Sequence, residues 1–229
     1  RAAPIIQAKE NGRYGNTSSY QNVGNPILDI ENNNARSYGN RIQATGYLEV
    51  KPLDWITLRS SMGGELVSYS DKNYNYRFLN DEVTFLTAGG NQLNPKSNLS
   101  VYKENNFRWV WDNTVTFNKK IDAHTFTLLV GSTAEEYTAE NIRAFRQDVP
   151  ADKNLWYIGT GDANTSTNGG GGEKWTRSAY LSRLNYNFDD RFLFTGTMRY
   201  DGSSRLSKDN RWGFFPSVGA GWVLTNESF

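Results

Sequence analysis

Four groups of residues in this chain have types and spacings that could do chemistry. His124, in KKIDAH, is the only histidine, and imidazole is a common general base near neutral pH. A triad also needs a serine and an aspartate brought beside it, and nothing around this turn-like run supplies them. Asp189 and Asp190 are adjacent carboxylates, but in FDDR they read as turn formers whose side chains bond nearby backbone. GGGGEK (Gly169 to Lys174) resembles a phosphate cradle. Such a loop needs a following helix and a Lys-Ser/Thr pair, and here Trp175 and a strand come next, so it is expected to be a flexible loop. Asp148, Asp152 and Asp162 have the chemistry to hold a cation or cleave a glycosidic bond, with no readable separation to support either. Without cysteine there is no disulfide framework, thiolate metal site or cysteine nucleophile. The expectation is a protein that is not an enzyme, with no catalytic set, metal or cofactor.

Composition narrows the partners. The 25 basic and 24 acidic residues leave a net charge of +1, so no basic field argues for nucleic acid. The longest apolar runs, such as FTLLVG (Phe126 to Gly131), fall far short of the roughly 18 to 20 residues a membrane-spanning helix needs. A β-barrel crosses with about 9 to 11 residues per tilted strand, apolar only at alternate positions, so a mean hydropathy of -0.68 is compatible with one. No signal peptide is visible, and a chain that opens on Arg1 and closes at Phe229 after TNES reads as a fragment.

The elements that must position any site follow from alternation at period two, found in seven places. RIQATGYLEV sets Ile42, Ala44, Gly46, Leu48 and Val50 against Arg41, Gln43, Thr45, Tyr47 and Glu49. WITLRSSMGGEL sets Ile56, Leu58, Met62 and Leu66 against Thr57, Arg59, Ser61 and Glu65. The same split recurs in FRWVWDNTVTF, after Thr125, from Tyr180 to Phe188, from Phe192 to Asp201, and from Ser217 to Leu224. KPLD, NKKIDA and FDDR are tight turns, whereas 69–106 and 138–176 are long, polar and without alternation. The expected plan is a loop over 1–40, a hairpin over 41–68, a long loop over 69–106, a hairpin over 107–137, a long loop over 138–176 and three strands over 177–225, with no helix. A soluble sandwich also alternates. Long strands, with short and long connections taking turns and aromatic residues such as Trp55, Phe117, Phe188 and Trp222 near strand ends, favour an all-β antiparallel meander forming part of a large transmembrane β-barrel. In YDGSSRLSKDNRWGFFPS, Tyr200 is expected to end a strand, Asp201 and Gly202 to start a turn, and Pro216 to sit at a bulge or rim.

The block from Asn185 to Phe229, NYNFDDRFLFTGTMRYDGSSRLSKDNRWGFFPSVGAGWVLTNESF, closely resembles the barrel signature of SusC/RagA-type TonB-dependent transporters. A DDR turn, a DGSSR loop (Asp201, Gly202, Ser203, Ser204, Arg205), an NRWG-FPS segment and a GW strand ending in E-S-F follow in the family's order, with Leu206 where phenylalanine is usual. NPILDIENNN (Asn25 to Asn34) and GYLEVKPLDWITLRSSMG (Gly46 to Gly63) are similar to its NP loop and strand-turn-strand. The resemblance implies a barrel of about 22 strands closed by a plug. It implies an integral protein of the outer membrane of Bacteroidetes, energised through TonB, with a SusD-like surface lipoprotein as lid and an oligosaccharide or peptide as substrate. Neither plug nor TonB box is found in this chain, and seven strands do not close such a barrel. A surface binding or adhesion barrel without import is the alternative.

If the apolar faces meet membrane lipid, then Arg59, Glu65, Arg108, Asp112, Glu135, Arg183 and Arg199 point into the lumen. There they would hold a plug by hydrogen bonds and ion pairs or form a plain solvated face. For substrate contact the loop aromatics Tyr74, Tyr76, Trp156, Tyr157 and Trp175 are the candidates, since aromatic rings stack on sugar C–H faces and anchor peptides; the alternative is that they pack the loops.

Overall fold

The computed structural model describes residues 7–17, 24–32 and 34–227. Seven strands form one sheet in chain order: β3 (Arg36–Leu53), β4 (Ile56–Asn75), β5 (Asn98–Ile121), β6 (His124–Gln147), β7 (Thr167–Phe188), β8 (Phe192–Ser203) and β9 (Trp212–Trp222). Before them come a small hairpin, β1 (Lys9–Glu10) with β2 (Arg13–Tyr14), and a helix, α1 (Pro26–Asn32). The expected meander is present. The tight turns between β5 and β6 and between β7 and β8 use aspartate: Asp122, Asp189 and Asp190 sit at φ 50°, 54° and 50°, a left-handed region that aspartate tolerates better than most residues.

The strands run further than alternation indicated. Residues 69–75, 98–106, 138–147 and 167–176, expected as loop, are strand, leaving 76–97 and 148–166 as the long connections. Alternation reveals a strand only where one face meets an apolar medium. Stretches such as Thr167–Lys174, TNGGGGEK, carry no apolar side chain yet still satisfy their backbone by pairing. GGGGEK is therefore strand and not a flexible loop. A Cβ at Gly170 would stand 2.6 Å from the Asn141 carbonyl oxygen, so glycine is needed for the close approach of two backbones.

The expectation of no helix is corrected by α1. Asn25 and Pro26 supply an N-cap and a favoured first residue, a signal too short to show periodicity. Asn25 is 1 % exposed; its Oδ1 accepts from the Ile27 and Leu28 amides and its Nδ2 donates to the Ala8 and Gly15 carbonyls. Pro216 is also corrected. The β8–β9 register runs without a break through Met198↔Pro216, and β9 is an edge of the described sheet, where proline is tolerated.

The chain divides into two compact units. The first comprises 1–40, 68–105 and 140–171. It has a hydrophobic core of Tyr74, Leu99, Val149 and Trp156, with Tyr76, Val101 and Ile158 packed on it. The second comprises 41–67, 106–139 and 172–229. It is a single layer of sheet, and Ile42, Leu48, Met62, Val130, Met198 and Val218 all stand exposed. A continuous exposed apolar face of this extent is built for apolar surroundings. No helix among the described residues is long and apolar enough to cross a membrane.

Candidate functional site

Opposite the apolar face, the second unit gathers its charges. In a strand, residues two apart share a face, so Ser61 and Glu65 of β4 lie beside Gln43 and Thr45 of β3 and Arg108 and Asp112 of β5, around a shallow cleft of about 180 Å³. The Glu135 side chain is only 6 % exposed and is clamped by Arg108 Nε at 2.6 Å and Arg177 Nη1 at 3.4 Å. Two guanidinium groups on one carboxylate satisfy several of its lone pairs, which is what a carboxylate withdrawn from water requires. Asp112 Oδ1 accepts from Thr133 Oγ1 at 2.6 Å. Arg59 approaches Glu49 at 3.7 Å and lies 4.0 Å over the Tyr47 ring, and Glu65 pairs with Arg41. Arg183 Nε donates to Thr197 Oγ1 at 3.3 Å, and Arg199 Nε reaches both oxygens of Asp201 at 2.8 Å.

All seven charged candidates thus carry partners on the same polar face. The sequence reading missed Arg177 in its pairing role, because it lay at the edge of what looked like a loop. Its odd position in β7, matching Arg183, was the available signal.

The signature residues are more strand than loop. β8 continues to Ser203, so the chain turns after Asp201 and Gly202 instead of at them. Gly202 is buried against Trp212, whose indole would lie 2.7 Å from an added Cβ, and Trp212 stacks on Tyr200 with 4.8 Å between centroids. Beyond the strand, the Ser204 amide donates to the Thr176 carbonyl at 3.0 Å and Ser204 Oγ accepts from the Thr176 amide at 2.8 Å. Arg205 pairs with Glu173 at 3.2 Å and covers the Trp175 ring at 4.8 Å.

The DDR turn is tied to the end of the described chain. Arg191 forks onto the Glu227 carboxylate, Trp222 Nε1 donates to Glu227 Oε1 at 2.9 Å, and Asn226 Nδ2 donates to the Asp190 carbonyl at 2.8 Å. The Arg191 hydrogen bond, with help from Trp222, holds the Glu227 carboxyl below its ordinary value. The same pairing raises Arg191 above its own. Ser228 and Phe229, which close the matched block, lie outside the described residues.

The loop aromatics do not behave alike. Tyr74 and Trp156, expected to touch substrate, are 1 % and 2 % exposed and stack on each other at 4.4 Å, so they pack the loops instead. Burying two large stacked rings removes a large apolar area from water, which favours this packing. Tyr74 Oη donates to the Val149 carbonyl at 3.0 Å, and Lys72 Nζ donates to the Trp156 carbonyl at 2.9 Å. Tyr76 is half-buried against the same core, edge-on to Tyr74. Trp175 lies between Tyr137 and Arg205. Only Tyr157 stands freely accessible, at 62 %. His124 is no base in a triad: its Nδ1 meets Tyr186 Oη at 2.7 Å among Phe126, Tyr186 and Phe188.

Known proteins resemble this arrangement. No family model matches the chain. It is 28 % identical to the TonB-dependent receptor SusC of Bacteroides thetaiotaomicron, over 94 % of this chain and 23 % of that protein. It is 27 % identical to the TonB-dependent receptor P26 of Formosa agariphila, over 90 % of this chain and 20 % of that one. The chain therefore spans between a fifth and a quarter of the length of these relatives. Its backbone superposes on a chain of the RagAB peptide transporter with a TM-score of 0.75 at 21 % identity, covering 87 % of this chain and 21 % of the other, which speaks to the fold. Signature motifs, receptor relatives and a shared strand arrangement agree: the chain is similar to a segment of the β-barrel wall of SusC/RagA-type TonB-dependent transporters.

Proposed function

We propose that the complete protein is an outer-membrane importer, energised through TonB and working with a SusD-like surface lipoprotein as lid, with an oligosaccharide or a peptide as cargo. The observation that carries this reading is one sheet with an exposed apolar face and a charged, internally paired one, in a chain related to TonB-dependent receptors. In that reading the apolar face meets lipid and the charged face lines the lumen. Arg59, Glu65, Arg108, Asp112, Glu135, Arg183 and Arg199 then hold a plug supplied by another part of the protein. Partners already present on the wall matter for the mechanism. A wall charge that gives up a plug residue falls back on a neighbour such as Thr197 or Asp201, so the plug can be rearranged without stranding a charge. Tyr157 is the aromatic best placed to touch cargo or lid. Peptide stays beside oligosaccharide as cargo because the RagAB neighbour is a peptide transporter by name.

Gentle detergent extraction of the full-length protein, with mass spectrometry of whatever co-purifies, tests the reading. A stoichiometric surface lipoprotein and a plug within the intact mass are expected; a lone barrel lacking both would favour a surface binding or adhesion protein. Charge reversal at Arg183 or Arg199 is expected to impair import while leaving surface binding in place. Unchanged uptake would remove plug contact from their roles.

A further inference from the structure

The apolar face of the second unit is hollow in one place. Tyr180 and Ser182 of β7 stand directly opposite Tyr200 and Met198 of β8, and Tyr200 stands opposite Phe214 of β9, so these five side chains share that face. Ser182 is the shortest of them, and the others are long. Together with Val130 of β6 they surround a groove of about 250 Å³ whose lining is almost wholly apolar. Val130, Tyr180, Met198, Tyr200 and Phe214 are all exposed.

An aromatic stack stands at one end of the groove. Two residues before Phe214 on β9, about 7 Å along the strand, Trp212 stacks on Tyr200 at 4.8 Å and on Tyr180 at 6.1 Å. Tryptophan and tyrosine gather where an apolar medium gives way to water, with the ring in one and the polar tip toward the other. This is the end of β8 away from its tight turn with β7. Just beyond it, residues 204–211 between β8 and β9 hold Arg205, Lys208 and Arg211 against Asp209 as the one acidic residue. Arg205 is taken by Glu173. Among the described residues Lys208 and Arg211 join no ion pair. Arg211 Nε is shielded from solvent, so an anion would be met by its terminal nitrogens, which no hydrogen bond uses.

An apolar hollow offers a polar ligand no partner in exchange for lost water. In a wall that faces lipid it gains dispersion contact only from something that fills it, and an acyl chain does so without desolvating a polar group. The aromatic stack then brings the polar end of that lipid to the level of two uncommitted cations, whose charge and donors match a phosphate group.

We infer that this groove is a site for one phosphate-bearing membrane lipid, with an acyl chain lying over Ser182 and the phosphate held by Lys208 and Arg211. The inference rests on the reading of this face as the lipid-facing side of a barrel wall.

The test uses the full-length protein, extracted in detergent, stripped of lipid and probed by native mass spectrometry with one compound at a time. Diphosphoryl lipid A and phosphatidylglycerol carry chains and phosphate, diacylglycerol carries chains alone, and inorganic phosphate carries the anion alone. The phosphate-bearing lipids are expected to be retained about fivefold or more above diacylglycerol, and inorganic phosphate is not expected to be retained. Ser182→Phe fills the groove and is expected to lower retention of every lipid about fivefold. Lys208→Gln combined with Arg211→Gln, both outside the sheet, is expected to bring the phosphate-bearing lipids down to the level of diacylglycerol. Heat-modifiable migration of each variant reports a folded barrel. Retention unmoved by Ser182→Phe would remove the groove from the site, and retention unmoved by the double variant would remove the phosphate contact. Inorganic phosphate held as firmly as lipid would make this an anion site without a chain, and a dimer mass with no lipid bound would give the face to a second copy of the protein. Release from membranes without detergent would overturn the barrel-wall reading itself, whereas detergent-dependent extraction with no lipid retained overturns the lipid site alone.

Discussion

Trp156 and Tyr157 are neighbours in the chain, yet one is 2 % and the other 62 % exposed. Both read alike in sequence, as loop aromatics able to stack on a ligand. Their difference comes from Tyr74 and Leu99, which offer Trp156 a place to bury its ring, while Tyr157 faces Lys72 with the ammonium 5.1 Å from its centroid. Trp156→Ala is expected to cost the loop unit about 3 to 5 kcal/mol, the usual penalty for emptying a large aromatic site, and to show as rapid protease cleavage within 148–166. Tyr157→Ala is expected to leave that cleavage pattern unchanged and to weaken cargo or lid binding. A cleavage pattern equally altered by both variants would contradict the division drawn between them. Gly202 illustrates the same scale of argument: its place in the signature reads as a turn in sequence, and in the structure it reads as the floor beneath Trp212.

At the scale of elements, the turn between β7 and β8 and the segment after β9 are locked together by Arg191, Trp222 and Glu227. Motifs 36 residues apart in sequence, DDR and NES, thus form one structural unit. Its pH dependence follows from the depressed Glu227 carboxyl. A carboxyl whose folded value lies below its unfolded one contributes stability that is fully present above the ordinary value of 4.5 and fades as pH falls through the folded value. Arg191, raised from an already high value, stays charged throughout and adds no titration of its own in that range. Trp222 emission is expected to be constant from neutral pH to about 5 and to change as pH is lowered toward about 3. Glu227→Gln should remove that acid transition; its survival in the variant would assign the transition to another group. The strands make a different point. Polar extensions such as Thr167–Lys174 were invisible to alternation, because hydrogen-bonded pairing needs no apolar face, and Leu99 with Val101 made too short an alternation to stand out.

Across the whole molecule, the two faces of the sheet must meet two solvents if the chain is a barrel wall. Met62 is exposed on the apolar face and Ser61 lines the charged cleft on the other. Met62→Arg is expected to cost about 2 to 4 kcal/mol of membrane stability if the residue lies near the bilayer midplane, whereas Ser61→Arg should be tolerated. Urea unfolding of the full-length protein in lipid vesicles, compared between the two variants, measures this. Equal losses, or a greater loss for Ser61→Arg, would invert the assignment of faces.

By itself the sequence determined the all-β class, the order of the seven strands, the two faces of each and the turn positions of Asp122, Asp189 and Asp190. These follow from local rules, namely a side-chain period of two and the backbone preferences of aspartate and glycine. Its C-terminal motifs also carried the resemblance to SusC/RagA-type transporters, since a run of turn, loop and strand motifs in fixed order is specific without any contact being known. Tertiary structure alone decided which polar residues pair: that Glu135 lies between Arg108 and Arg177, that Glu227 answers Arg191, and that the asparagines of 73–98 share a cavity with Asp29. It also decided that Tyr74 and Trp156 are core. Each of these depends on residues far apart in the chain being brought within hydrogen-bonding or van der Waals range by strand register, and alternation sets the face of a side chain without naming its neighbour across the sheet.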